Sequence, residues 1–292
     1  MVRLDADSVA LGGVDSRWSF GFLARRAIPG MEEGDANQYR RLVSAIGGPA
    51  LGTIAFRGGQ LRAGLANAGT IGPQRSWGRH LLDLNRDLRP FQRLAAPDRV
   101  LARIVERRPG IRIPQLADPF EAAVRAIVGQ LISVAAARSV LGHLVHRFGA
   151  ASANGAYPHF RAFPGPEALA GVPVERVRAC GVTRAKAEAI AGLATATARG
   201  EIDWTAIAAL APEEADRALR SWRGIGPWTA AYIRLRTFGD ADVSLATDLG
   251  VIHALAALGV SRHRTPATID RWRPWRSYAM MHLWASLEDG NS

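Results

Sequence analysis

A single cysteine, Cys180, in 292 residues rules out an intramolecular disulfide, a cysteine-ligated iron–sulfur cluster and a zinc knuckle, since each needs more than one thiol. The seven histidines show no H-x₃-H or H-E-x-x-H spacing, so no metal is expected. No apolar run approaches the roughly 18 residues that cross a bilayer, and no N-terminal segment has the apolar core of a signal peptide. The expected location is therefore the cytoplasm with access to the nucleoid, and no membrane partner is expected. Lysine is nearly absent as well: Lys186 is the only one among 37 basic residues.

The contents that remain are 48% hydrophobic and 22% charged residues, the balance of a soluble globular protein. The length suits one large domain or two ordinary ones. A net charge of +11 and a pI of 11.1 favour a polyanionic partner.

The first third reads as mixed α/β. Residues 51–56 and 61–65 are short β-permissive runs either side of Gly58-Gly59, a pair suited to a two-residue hairpin turn. Residues 18–28 fit a strand or a helix start, and periodicity does not decide. Residues 69–76 read as a loop, 77–88 as an amphipathic helix through Leu81, Leu82, Leu84 and Leu88, and 99–106 as another short helix. From Asp118 onward almost everything reads as helix. Asp118 is the expected N-cap and Pro119 the first helical residue of a buried stripe, Phe120, Val124, Ile127, Val128, Leu131, Val134 and Ala135. Residues 139–148 continue it after a bend or form a separate helix. Helices are further expected over 166–170, 174–180, 183–199, 213–222, 227–237, 248–258, 265–272 and 276–287, with a proline-containing loop over 157–166.

The most informative stretch is 219–255. The turn Gly224-Ile225-Gly226-Pro227 lets the backbone reverse where a side chain would clash, and Pro227 opens the next helix. Amides at such a helix start can hold a phosphate. Twenty-two residues after Gly226 comes Asp248, the only acid between Asp242 and Asp270, at the start of a third helix. Locally it reads equally well as a helix cap or as a functional carboxylate.

With this turn, three more blocks, residues 18–27 (WSFGFLARRA), 118–134 (DPFEAAVRAIVGQLISV) and 272–284 (WRPWRSYAMMHLW), make the chain resemble the helix-hairpin-helix DNA glycosylases, in particular the bacterial 3-methyladenine-DNA glycosylase II group. The resemblance covers nearly the whole chain. It implies an α+β protein: a TBP-like antiparallel sheet with helices over residues 1–114, then an all-helical glycosylase domain over 115–292 with its hairpin at about 213–238. It implies excision of alkylated purines of the 3-methyladenine or 7-methylguanine type from double-stranded DNA, by base flipping and hydrolysis of the N-glycosidic bond. Asp248 would stabilise the oxocarbenium-like transition state and orient water. Family members that also nick the strand carry a lysine where this chain has Trp228, which implies a monofunctional enzyme; Lys186 then reads as a surface residue of its helix.

Trp228, Tyr232, Trp284 and Phe22 are the implied base pocket, whose aromatic faces favour an electron-poor alkylated purine. Leu131, beside Gln130, matches the wedge that fills the gap in the base stack. Gly224, Ile225, Gly226 and Thr229 match the phosphate-holding hairpin, and Arg223, Arg234 and Arg236 add phosphate contacts or face solvent. Trp272 and Trp275 read as packing residues. No cofactor is required, although the hairpin carbonyls can hold a monovalent or other cation when DNA is bound; a monomer is expected. The chain departs from the family pattern at Ala246, where proline is usual, and at Leu249 and Ala285, where aromatics occur, so a wider pocket is expected. Two alternatives stay open: a glycosylase for deaminated or oxidised bases, and a non-catalytic lesion-binding protein of the same fold.

Overall fold

The computed structural model describes residues 2–3, 13–43, 49–66, 71–151 and 157–289. Gly58 and Gly59 both take positive φ, +55° and +72°, as a two-residue primed turn requires. They join β4 (Ala50–Arg57) to β5 (Gln60–Leu65). With β1 (Val2–Arg3), β2 (Glu32–Gly34) and β3 (Gln38–Val43), these form an antiparallel sheet in the order β1-β5-β4-β3-β2. Tyr39, Ile54 and Ala63 stand in register across β3, β4 and β5 and enter one core with Phe20, Leu23 and Leu81.

The undecided segment at 18–28 is helix α1 (Ser16–Arg26), capped by Asp15, whose Oδ1 accepts the Trp18 N–H at 2.8 Å. Trp18 and Phe22 pack into the helical core while Phe20 and Leu23 pack on the sheet. A helix buried on two faces shows no single apolar stripe, which is why its period was illegible. The helix expected over 77–88 lies earlier, as α2 (Ile71–Leu81). It replaces the expected loop from Ile71 on, residues 69 and 70 lying outside the described residues. Leu82 and Leu84 are buried in a turn where Asp83 takes φ +52°, and Leu88 is buried at the cap of the next helix, so they imitate a helical stripe. Arg112, fully buried, holds that turn by donating to the carbonyls of Asp83 at 2.7 Å, Arg86 at 2.9 Å and Gly13 at 3.0 Å. Helix α3 (Arg89–Ala95), with Pro90 in its first turn, was not anticipated, and α4 (Leu101–Val105) follows.

Asp118 caps α5 (Pro119–Gly129) as expected, its Oδ1 accepting the Phe120 N–H at 2.8 Å. The stripe does not run on to Ala135. α5 stops at Gly129, and after an outward turn α6 (Val134–Phe148) starts anew, capped by Ser133, with Val134 and Ala135 exposed. There follow α7 (Pro166–Leu169), α8 (Val174–Arg178), α9 (Arg184–Ala198) and α10 (Trp204–Ala209), the last too short to have shown a period. The hairpin pair is α11 (Pro212–Arg220) and α12 (Pro227–Ile233), which runs into a π-helical turn, Arg234–Phe238. α13 (Leu249–Ala257), α14 (Thr265–Asp270) and α15 (Arg276–Asp289) complete the order. Among the described residues no helix is long and apolar enough to cross a membrane.

Sheet and helices are tied by a buried ionic cluster. Arg41 of β3 meets Glu121 of α5 at 2.5 Å, and Arg125 of α5 meets Glu32 of β2 at 2.5 Å and Glu121 at 2.7 Å. Burial alone would push Glu32 up, but Arg125, Arg41 and the Tyr39 hydroxyl together hold it below the usual carboxylate range.

Candidate active site

Three backbone turns converge on one cleft of about 1360 Å³: the turn after α5, the hairpin turn before α12, and the start of α13. At the last of these, Asp248 is both cap and cleft residue. Its Oδ1 accepts the Val251 N–H at 3.0 Å and the Trp284 indole N–H at 3.0 Å, and its Oδ2 accepts the Trp228 indole N–H at 2.9 Å. The two readings of Asp248 are therefore compatible, because the capping bond leaves Oδ2 to the cleft side. Gly250 lets Trp284 approach, since a Cβ there would lie 3.3 Å from the indole.

Trp228 and Tyr232, one turn apart on α12, stack with centroids 5.3 Å apart and planes 21° apart. The Tyr232 hydroxyl accepts from Arg236 at 2.7 Å, and Arg236 also donates to the Pro114 carbonyl at 2.6 Å. Arg236 is buried, so it braces the pocket wall and neither faces solvent nor reaches outward for a phosphate. Phe22 lies behind the wall instead of lining the cleft. The Arg26 guanidinium covers its ring at 3.8 Å, with Arg236 at 5.1 Å and Trp18 beneath at 5.2 Å. Arg26 itself does line the cleft; burial pushes it down to about 10, which leaves it cationic at neutral pH. Sequence reading missed this arginine, although its place four residues after Phe22 would have put both on one helix face had α1 been recognised as a helix. Trp272 is fully buried and Trp275 packs on Phe91 and Tyr278, as expected of packing residues.

Leu131 is fully exposed at φ +59°, at the mouth of the same cleft. Gln130 beside it is turned away: its amide donates to the Gly224 carbonyl at 2.9 Å and to the Thr229 hydroxyl at 2.8 Å. The Thr229 and Ile225 side chains are buried, so only their backbone can face a ligand. Lys186 is not the plain surface residue expected. Its ammonium donates to the carbonyls of Val128 at 2.9 Å and Gln130 at 2.7 Å. Arg223 is exposed and paired with Glu188 at 2.6 Å, while Arg234 is half-buried with Asp240 and Asp216.

The two hairpin glycines have different reasons. Gly224 takes φ +85°, and a Cβ on it would meet the Ala189 Cβ at 2.5 Å. Gly226 has an ordinary φ of −86°, and its Cβ would meet nothing within 4 Å. Gly224 is required by the fold, whereas at Gly226 the folded chain leaves space. Among the described residues no cluster of three or more potential ligand side chains could hold a metal ion.

Residues 13–118 match the AlkA N-terminal domain family, and residues 124–276 match the HhH-GPD superfamily of base excision DNA repair proteins. The chain is 33% identical to DNA-3-methyladenine glycosylase 2 of Escherichia coli K12 in an alignment that covers 92% of this chain and 93% of that protein. It is 34% identical to a probable bifunctional transcriptional activator/DNA repair enzyme AlkA of Mycobacterium tuberculosis, again over 92% of this chain but 54% of that longer protein. The fold matches that of a 3-methyladenine DNA-glycosylase from Archaeoglobus fulgidus with a TM-score of 0.80, covering 95% of this chain and 96% of that one at 24% identity. The hairpin, the carboxylate at the start of α13 and the sheet before them thus have one common explanation: this chain belongs to the HhH-GPD superfamily of base excision DNA repair proteins and carries the AlkA-type N-terminal domain.

Proposed function

We propose that this protein is a monofunctional DNA glycosylase that releases alkylated purines, of the 3-methyladenine and 7-methylguanine type, from double-stranded DNA. The observation that carries the reading is Asp248, a carboxylate held in the cleft between two indoles. As the N-glycosidic bond breaks, positive charge grows on the deoxyribose, and a carboxylate there stabilises it while water attacks. An alkylated purine already carrying positive charge departs as a neutral base, so no strong general acid is needed. The stacked Trp228 and Tyr232 offer that base an aromatic face. The sole lysine, engaged by Val128 and Gln130, supports hydrolysis over Schiff-base formation. Leu131 would fill the gap left by the flipped nucleotide, an event that costs a few kcal/mol.

The reaction needs water and a carboxylate and no cofactor; a cation at the hairpin carbonyls would act on DNA binding alone. The chain would work as a monomer, near the nucleoid. We also infer a division into residues 1–114 and 115–292, supported by a sheet confined to the first part, although the core around Trp18 and Trp272 draws on both.

Purified protein should release methylpurines from alkylated duplex DNA without added metal, with strand breaks appearing only after alkali. Breaks before alkali would contradict the monofunctional assignment, and no release despite tight binding would favour a non-catalytic lesion binder. One observation favours excision of neutral deaminated or oxidised bases as a second reading: Arg26 brings a cationic donor to the cleft, suited to a base carbonyl. A duplex containing hypoxanthine tests it directly.

The hairpin glycines provide a paired test. Gly224→Ala is expected to lower stability by about 2–3 kcal/mol, through positive-φ strain and overpacking against Ala189. Gly226→Ala should unfold at the wild-type temperature yet bind duplex DNA about tenfold more weakly, because its Cβ fills the space a phosphate would use. Equal thermal unfolding and equal affinity for both variants would remove the hairpin from the DNA contact. With a net charge of +11, binding should also weaken steeply with salt, as counterion release demands; an affinity unchanged between low and moderate salt would contradict this.

A further inference from the structure

Of the 37 lysine and arginine side chains all but one are arginine, and the exception sits under Leu131, the most exposed large apolar side chain among the described residues. Lys186, in the first turn of α9, points its ammonium at the C-terminal end of α5, where it donates to Val128 O at 2.9 Å and Gln130 O at 2.7 Å. Terminal carbonyls of a helix have no intrahelical partner and carry the negative end of its dipole, so a cation satisfies them twice over. A compact ammonium can bridge two carbonyls of one tight turn, which a planar guanidinium fits less well.

The turn it holds has little support of its own. Its backbone bonds, Gln130 N–H to Ile127 O and Ile132 N–H to Gly129 O, are both long at 3.4 Å. Leu131 sits in the left-handed region, which is unfavourable for a residue with a Cβ, and buries nothing in return, being fully exposed. From the other side the Gln130 amide fastens the turn to Gly224 and Thr229 of the hairpin. The turn is thus clamped between α9 and the hairpin before DNA arrives.

We propose that Lys186 is a positioning residue: by bracing the turn that presents Leu131, it fixes the geometry with which the chain enters the base stack. This rests on the reading of Leu131 as the wedge. A turn ordered in advance does not lose conformational freedom on insertion, so the contribution of Lys186 is felt in insertion, through Leu131 alone.

The test uses a duplex with an uncleavable tetrahydrofuran abasic analogue flanked by 2-aminopurine, whose fluorescence rises when its neighbour stack is opened. Lys186→Met keeps the aliphatic stem and removes the ammonium. It should reduce the fluorescence change at saturating protein by at least half and weaken binding several-fold, with Lys186→Arg intermediate and all three proteins unfolding at similar temperatures. In a Leu131→Ala background, adding Lys186→Met should change affinity by less than about twofold, since contacts acting through a shared element are non-additive. Full fluorescence change and full affinity in Lys186→Met would overturn the proposal, as would an equal loss in both backgrounds. A wild-type protein that gives no fluorescence change would overturn both the wedge reading and this inference, while methylpurine release is measured separately and stands or falls on its own.

Discussion

Asp248→Asn is expected to slow single-turnover release of 7-methylguanine from duplex DNA by a factor on the order of 10²–10³, the usual loss when a preorganised charge facing the transition state is removed. Affinity for the same duplex should change by less than about threefold, since in the proposed role the residue acts on charge that develops only as the bond breaks. The fold should tolerate the change, because asparagine caps a helix as well as aspartate and can keep the bond to the Val251 N–H. The site will feel it in a second way. Both carboxylate oxygens accept indole N–H bonds, from Trp284 and Trp228, and an asparagine amide must turn its NH₂ toward one of those donors. Trp228→Phe separates the two effects, since it keeps the carboxylate and an aromatic face and removes one donor; a loss nearer tenfold is expected from one such hydrogen bond. A rate for Asp248→Asn within tenfold of wild type would remove Asp248 from the chemistry.

Acidification should expose a stability device unrelated to the site. His282 of α15 is fully buried against Phe91, with ring centroids 5.4 Å apart, and neither ring nitrogen has a well-formed hydrogen-bond partner. Burial pushes it down to about 3, against about 6.5 in an unfolded chain. With its folded value depressed, the contribution of His282 is complete above about pH 6.5 and is lost as pH falls toward about 3, because only the unfolded chain takes up the proton. The loss approaches about 1.4 kcal/mol per pH unit below the unfolded value, and amounts to about 1.6 kcal/mol between about pH 6.5 and 5. Asp87, which Arg89 holds at about 2, contributes only at lower pH. Burial raises Asp83 and Asp118, which therefore work in the opposite sense. The quantity to measure is thus the difference in urea-unfolding free energy between wild type and His282→Leu at the two pH values. If both lose stability in parallel, His282 is not the titrating group.

The sequence disclosed those features whose cause lies within a few residues. Paired glycines at 58–59, Asp118 before Pro119, Thr183 before its helix and the Gly-x-Gly-Pro hairpin each impose a backbone geometry through their own chemistry, and each is found where it was read. Asp248 was legible as a cap for the same reason, and the resemblance to a family supplied the second role proposed for it. Tertiary structure decided what depends on partners distant along the chain. α1 has no single apolar face because the sheet covers one side and the helical core the other. Leu82, Leu84 and Leu88 look helical because burial, not a helix, made them apolar. Leu131 reads as one more step of a buried stripe until the chain turns at Gly129 and leaves it in solvent. Phe22 reads as a pocket wall until Arg26 and Arg236 are folded over it. Lys186 carries no local signal at all, because its carbonyl partners lie 58 and 56 residues away. A residue's own conformational preference acts wherever the chain goes, but the direction of its side chain acquires a meaning only when packing chooses its neighbours.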